Sequence, residues 1–301
     1  MTEQAIAQSR QQSSSNVFRM VARISKFRIS NTRQCTFPGT RAEIQILYPK
    51  HQELLSWVRM QIRRTGLARA LSKLGYCSRS AAVQTISAGN VTVNGRIVRD
   101  PEKAVRIGRD RIEIDGQMLG AAPKVFFMLN KPRGVVTTAS DEKQRKTVYE
   151  LLANDVPWLA PVGRLDIASE GLLLLTNDSE WAARITDPAS HIEKVYHLQV
   201  RGLVTSQMTD AMLKGVRSES EILRAKRVSI VRQGERNTWL EVALDEGKNR
   251  QIRRMMKEFE LEVLRLIRIS IGPLTLGDLA KGSSRALTGA EKAALDRAFV
   301  V

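Results

Sequence analysis

This sequence predicts an α+β fold: a small helix-and-hairpin unit followed by a larger, mixed and largely antiparallel sheet. Three observations lead there. Strand-like and helix-like stretches follow one another without the regular βαβ alternation of a parallel sheet. Asn94-Gly95 and Asp115-Gly116 sit between short alternating apolar runs, the strongest two-residue hairpin signal. The chain of 301 residues is long enough for about two domains with real cores.

The elements follow in order. Leu67, Leu71 and Leu74 fall on one helical face, and Gly75 ends that helix. Ser78 is placed to cap a second helix through Val83 and Ile86, stopped by Gly89-Asn90. Val91, Val93 and Ile97-Val98 flank the first hairpin turn, and Arg111 to Ile114 runs into the second. Gly120 to Pro123 reads as a linker. Beyond it, Val125 to Leu129 is a buried-strand candidate, Val135 to Thr138 continues as β, and a helix is expected around Thr147 to Asn154. Leu172 to Leu175 is an apolar run, and Ser179 to Ile185 a helix capped by Asn177 or Asp178. Further strands are expected at Val195 to Val200, Ala225 to Val231 and Thr238 to Leu244. The domain reading is a basic extension over 1–64, a small unit over 65–119 and a large one over 124–301.

Composition narrows the partners. Forty-eight Lys plus Arg against 31 Asp plus Glu gives a net charge of +17, which draws a polyanion and gains from counterion release. Aromatic residues are only 5%, so base stacking must rest on a few particular rings. No apolar run approaches the ~18 residues needed to span a bilayer. Cys35 and Cys77 have no partner at zinc spacing, which argues against a metal site and fits a reducing compartment. The extension contains polar Gln11 to Asn16 and no acidic residue between Glu3 and Glu43. Three readings of it stay open: a disordered basic tail touching RNA, an organellar transit peptide, and a chain start at Met60.

Three stretches carry candidate chemistry. Arg164 and Asp166 emerge on one side of an extended segment, with Gly163 and Gly171 allowing bends around them. On spacing alone a structural ion pair is the commoner explanation. In Gly247 to Met256, Ile252, Met255, Met256 and Phe259 form one helical stripe, with Arg250, Arg253, Arg254 and Lys257 opposite. That is either a solvated basic face or a phosphate-contacting helix. Lys194 and Tyr196 share a strand face with Leu198, and the ring is either core or a platform for a splayed-out base.

Taken in order, these motifs resemble the RsuA-type ribosomal RNA pseudouridine synthases from Leu67 onward. The resemblance runs through a unit like the S4 RNA-binding domain, Leu129-Asn130-Lys131-Pro132-Arg133-Gly134, Pro161 to Asp166, Glu170 to Asp178, Lys194-Val195-Tyr196, Gly247 to Met255, and Leu266 to Leu274. It implies a fold of an S4-like domain followed by a pseudouridine synthase domain. It implies Asp166 as the essential aspartate, Tyr196 stacking on the flipped uracil, and Arg253 pairing with the catalytic carboxylate. Arg164 matches the arginine associated with the space vacated by the base, and Lys194, Arg250 and Arg254 join it as substrate contacts. Arg69, Lys73, Arg79 and Arg96 are expected to meet RNA from the S4-like unit. Ile167-Ala168-Ser169 departs from the commoner acidic–Thr stretch. Asn249 to Arg254 resembles the large-subunit branch more than the small-subunit one.

The implied reaction is an isomerisation needing no metal and no cofactor: N1–C1′ of uridine breaks, the uracil turns, and C5 bonds to C1′. Asp166 either attacks C1′ or removes the C2′ proton. The expected partner is ribosomal RNA or a ribosomal precursor particle, met by a monomer in a bacterial-type cytoplasm, or in an organelle if the extension is a transit peptide. Two rivals remain: a non-catalytic S4-domain ribosome-assembly factor, and a general DNA-coating protein.

Overall fold

Short amphipathic segments punctuated by glycine build the first unit. In the computed structural model, which describes residues 64–120, 122–139, 141–153 and 156–299, it consists of β1 (Thr65–Gly66), α1 (Leu67–Lys73), α2 (Arg79–Ala88), β2 (Val91–Val93), β3 (Arg96–Ile97), β4 (Ala104–Val105), β5 (Ile112–Ile114) and β6 (Gln117–Met118). The extension expected over 1–64 lies outside the described residues except for Arg64. Leu67, Leu71 and Leu74 turn inward onto Ile86, Val91 and Ile112, as their spacing requires. The Ser78 hydroxyl accepts the Ala81 N–H at 3.1 Å and starts α2. Asn94 and Gly95 both take positive φ (52° and 77°), the type I′ turn that joins β2 to β3. The four strands lie in the order β3-β2-β5-β6, and β1 pairs with β4.

The second unit contains β7 (Phe126–Lys131), β8 (Ala160–Val162), β9 (Glu170–Thr176), α3 (Ser179–Thr186), β10 (Lys194–Arg201), α4 (Ser206–Lys214), β11 (Val216–Ser218), β12 (Glu221–Leu223), β13 (Arg227–Gln233), β14 (Asn237–Leu244), α5 (Gln251–Glu258), β15 (Glu262–Ile271), β16 (Leu274–Thr275), β17 (Ser284–Ala286) and α6 (Gly289–Arg297). The sheet runs β13-β14-β10-β15-β9-β7-β17, with β8 beside β9 and β16 beside β15. Every pairing is antiparallel except β9 with β15.

β9 is buried on both faces, which explains its unbroken apolar run. Leu172 and Leu174 pack with Met128, Trp181 and Ile271, while Leu173 and Leu175 pack with Leu129, Val148 and Leu165. A third core, from Leu198, Leu240, Met255 and Met256, seats α5 on the far half of the sheet. At the parallel junction Gly171 has φ +100°, and a Cβ there would come within 2.2 Å of the Arg268 carbonyl oxygen, so this crossing admits only glycine.

Two sequence expectations need correction. Val135 to Thr138 does not extend as a strand; it contributes one bridge, Val136 to Thr147. The helix around Thr147 to Asn154 is a single 3-10 turn, Val148–Leu151, closed by a capping box between Thr147 and Glu150, after which Leu152 is extended. α4, the β11–β12 hairpin, β15 to β17 and α6 have no counterpart among the elements expected from the sequence.

Candidate active site

The segment between β8 and β9 must reverse direction, and it does so on Gly163 (φ +71°) and a turn in which the Ser169 N–H donates to the Asp166 carbonyl at 2.9 Å. Leu165 points into the core while Arg164 and Asp166 face outward, the alternation expected of an extended stretch. They open on a cleft of about 230 Å³ that Lys194, Tyr196, Arg250 and Arg268 also line. That volume is below the ~300–1,000 Å³ of sites for drug-sized ligands.

The backbone of this loop is held from beneath. Lys131, fully buried at the end of β7, donates its Nζ to the carbonyls of Ser169 (2.9 Å), Asp166 (3.1 Å) and Pro132 (3.1 Å). Burial lowers its ammonium to about 8, an effect Asp166 and Glu170 oppose and Arg268 adds to. The Gly134 N–H reaches the Ile167 carbonyl at 2.7 Å, and the Thr137 hydroxyl the Leu165 carbonyl at 2.8 Å. Because these bonds go to main-chain atoms, the unusual Ile167-Ala168-Ser169 stretch keeps its support. Glu170 is bound by Lys281 at 2.5 Å and Arg265 at 3.3 Å.

Among the described residues the Asp166 carboxylate has one ion pair, with Arg250 Nη1 at 3.4 Å. Arg250 sits in the left-handed region (φ 50°) immediately before α5, which swings its side chain across the cleft mouth. This differs from the expectation for Arg253, whose Nη2 instead donates to the Ala168 carbonyl at 3.0 Å. Burial and the neighbouring Arg250 charge push the Arg253 guanidinium below the ordinary arginine value, against the pull of Asp166. Tyr196 lies directly across from Arg268 in the β10–β15 register and from Val242 in β14. Burial and Arg268 lower the Lys194 ammonium, and Asp245 pulls it back.

Comparison with known proteins supplies the family. Residues 125–258 match the model for RNA pseudouridylate synthase, and residues 65–112 the S4 domain. The chain is 35% identical over 226 residues to ribosomal large subunit pseudouridine synthase B of Bacillus subtilis, covering 74% of this chain and 91% of that protein. It is 37% identical over 240 residues to an uncharacterized RNA pseudouridine synthase of Aquifex aeolicus, covering 79% and 95%. A crystal structure of a pseudouridylate synthase aligns with TM-score 0.54 and 30% identity over 77% of this chain and 99% of that one. The chain belongs to the RNA pseudouridine synthase family.

Within this synthase, Asp166, Arg164, Tyr196, Lys194 and Arg250 converge on one cleft. Arg254 does not line it: its guanidinium is held by Glu221 at 2.6 Å and the Ser218 carbonyl at 3.0 Å, tying α5 to the β11–β12 hairpin. In the S4 unit Arg69, Arg79 and Arg96 are exposed, whereas Lys73 pairs with Glu180 of α3 at 3.2 Å and so faces the synthase unit. Lys131, Glu170 and Arg268 escaped the sequence reading as site residues. A lysine at the end of an apolar run was the available signal for the first; the other two become visible only once β9 and β15 lie side by side.

Proposed function

We propose that this synthase converts a specific uridine of large-subunit ribosomal RNA to pseudouridine, with Asp166 as the essential carboxylate. The observation that carries the reading is one cleft bearing a weakly held carboxylate, an aromatic ring and several cations. The name of the Bacillus subtilis relative supports the choice of RNA.

The target base must leave its stack, at a cost of a few kcal/mol. Phosphate contacts from the exposed S4 arginines, Arg164 at the space the base vacates, and stacking on Tyr196 offset that cost. The Asp166 carboxylate then either bonds to C1′ as N1 departs or takes the C2′ proton as uracil is expelled. The uracil turns, C5 bonds to C1′, the C5 proton is lost and N1 gains one. Arg250 and Arg253 flank the carboxylate; Lys131 fixes the backbone from which it projects. The enzyme acts as a monomer on the RNA or a ribosomal precursor, in the compartment where bacterial-type ribosomes are assembled.

The test is Asp166→Asn on unmodified ribosomal RNA, together with pseudouridine mapping in a deletion strain. RNA affinity should persist, isomerisation should vanish, and the map should lose one site or very few. Turnover by the variant, or an unchanged map, overturns the reading; tighter binding to duplex DNA than to ribosomal RNA at matched salt overturns the choice of polymer.

A further inference from the structure

Arg268 is the least explained group in the cleft wall. It is 6% exposed, yet it forms no ion pair with a carboxylate among the described residues. Its Nε donates to the Leu172 carbonyl at 2.7 Å, which fixes the guanidinium against β9. Its Nη2 is buried and has no acceptor among the described residues. Leaving a buried charged donor unpaired is costly, so such a donor calls for an acceptor that arrives with a ligand. The nearby charges bear on the point: Arg268 disfavours the charged forms of both Lys194 and Lys131, against the pull of Asp245 on the first and of Asp166 and Glu170 on the second.

Position decides which part of an RNA substrate supplies the acceptor. Phosphates ride on the backbone and stay at the rim of the cleft. A guanidinium that lines the cleft and is only 6% exposed meets an inserted group rather than the backbone outside, and the inserted group is the extruded base. Tyr196 is the direct cross-strand neighbour of Arg268, so the two side chains stand together on one face of the sheet. A uracil stacked on the Tyr196 ring presents its carbonyl edge to Nη2. When N1–C1′ breaks, the bonding electron pair leaves with N1 and spreads onto O2 and O4, so those oxygens gain charge in the transition state.

We propose that Arg268 stabilises the departing uracil anion by donating from Nη2 to a uracil carbonyl oxygen, with Lys194 supplying a second positive charge beside it. The inference rests on the pseudouridine synthase reading, and it holds for either route at Asp166 because both expel the same anion. A donor aimed at charge that develops during reaction lowers the barrier more than it tightens binding. The anion is consumed when C5 bonds to C1′, the C5 proton departs and N1 is reprotonated, so no oxidant or reductant is required.

The experiment compares wild type, Arg268→Gln and Arg268→Lys in single turnovers on transcribed large-subunit ribosomal RNA containing uridine or 5-fluorouridine. Fluorine at C5 withdraws electrons and stabilises the uracil anion by itself, so less depends on the protein. The readout is disappearance of the parent nucleoside from a digest, beside RNA affinity and melting temperature. Arg268→Gln should slow uridine conversion by about 10²–10³-fold, the usual effect of removing one such donor. Affinity should hold within about twofold, and the slowing on 5-fluorouridine should be at least about tenfold smaller. Arg268→Lys should recover part of the rate. Equal slowing on both substrates, or a defect confined to affinity, overturns the proposal. If Arg268→Gln fails to fold, the same comparison with Arg268→Lys decides it. Should wild type convert neither RNA, the pseudouridine synthase reading itself has failed, a result distinct from equal slowing.

Discussion

Asp166 keeps 35% of its side chain exposed and has, among the described residues, one ion pair at 3.4 Å; Glu170, where β9 begins, keeps 5% and is bound by Arg265 and Lys281. Both belong to the same loop-to-strand passage, and both face arginines. Their difference is one of saturation. A carboxylate both of whose oxygens are already taken by charged hydrogen bonds has little left for a reacting atom, whereas one with a single long contact on a cleft does. The fold therefore spends its strong contacts on the frame around Asp166, not on its carboxylate.

The largest expected effect breaks this contrast most directly. Asp166→Asn should reduce turnover by roughly 10⁴-fold or more, the upper range for a single acid–base group, while the melting temperature stays level. Glu170→Gln should do the reverse: it should cost about 1–3 kcal/mol of stability, since a buried acceptor loses charge but its partners reach water, and leave turnover within about tenfold. Chemical denaturation and single-turnover rates on both variants test the pair. A Glu170 variant that is inactive at unchanged stability would make the two carboxylates equivalent and end the comparison.

Lys131 comes next because it joins the two. Lys131→Met leaves the Pro132, Asp166 and Ser169 carbonyls without their donor. Loss of loop register should slow turnover by about 10²-fold, the scale of a misplaced catalytic group. The stability loss should be milder, because deleting a buried cation also removes its desolvation cost. Equal losses in both would make the lysine an ordinary core anchor.

The same residue sets a pH dependence with opposite signs for activity and stability. The folded protein releases the Lys131 proton near pH 8, whereas an unfolded lysine keeps its proton to about 10.4. Between those values the unfolded state binds more protons, so this group's contribution to stability rises with pH. Turnover should fall over the same interval, because a neutral amine offers two hydrogens to three carbonyls. A rate profile and a melting profile from pH 7 to 10 check this; a rate that stays flat through pH 8 in wild type, or falls identically in Lys131→Met, refutes it.

What the sequence disclosed follows the same division. Period-two alternation put Arg164 with Asp166, and Lys194 with Tyr196, on shared faces but left an ion pair and a core ring as the commoner readings; the family resemblance singled them out as site residues, and all four line one cleft. The helices of the S4 unit were legible through caps and glycines. Lys131 lies in one of the motifs that carry the resemblance but was given no role, since nothing local says that the carbonyls of Asp166 and Ser169 will converge on it. Glu170 and Arg268 depend on the β9–β15 crossing, a long-range pairing that no spacing announces. The length of the 147–154 helix was misjudged because periodicity cannot detect a chain that turns extended after one 3-10 turn.

The smallest effect concerns which arginine matters to Asp166. The Arg250 pair is nearly half exposed on the arginine side and long, so Arg250→Ala should cost less than about 1 kcal/mol of stability, a loss that shrinks further in salt. Its rate penalty should also be small, under about tenfold. Arg253 is more buried and holds the Ala168 carbonyl, so Arg253→Ala disturbs both the loop and the field at the carboxylate. It should slow turnover more than Arg250→Ala does at equal RNA affinity. The reverse ranking would mean that the exposed pair survives RNA binding and acts as the working partner of Asp166, and the loosely held carboxylate would then be better restrained than its free geometry indicates.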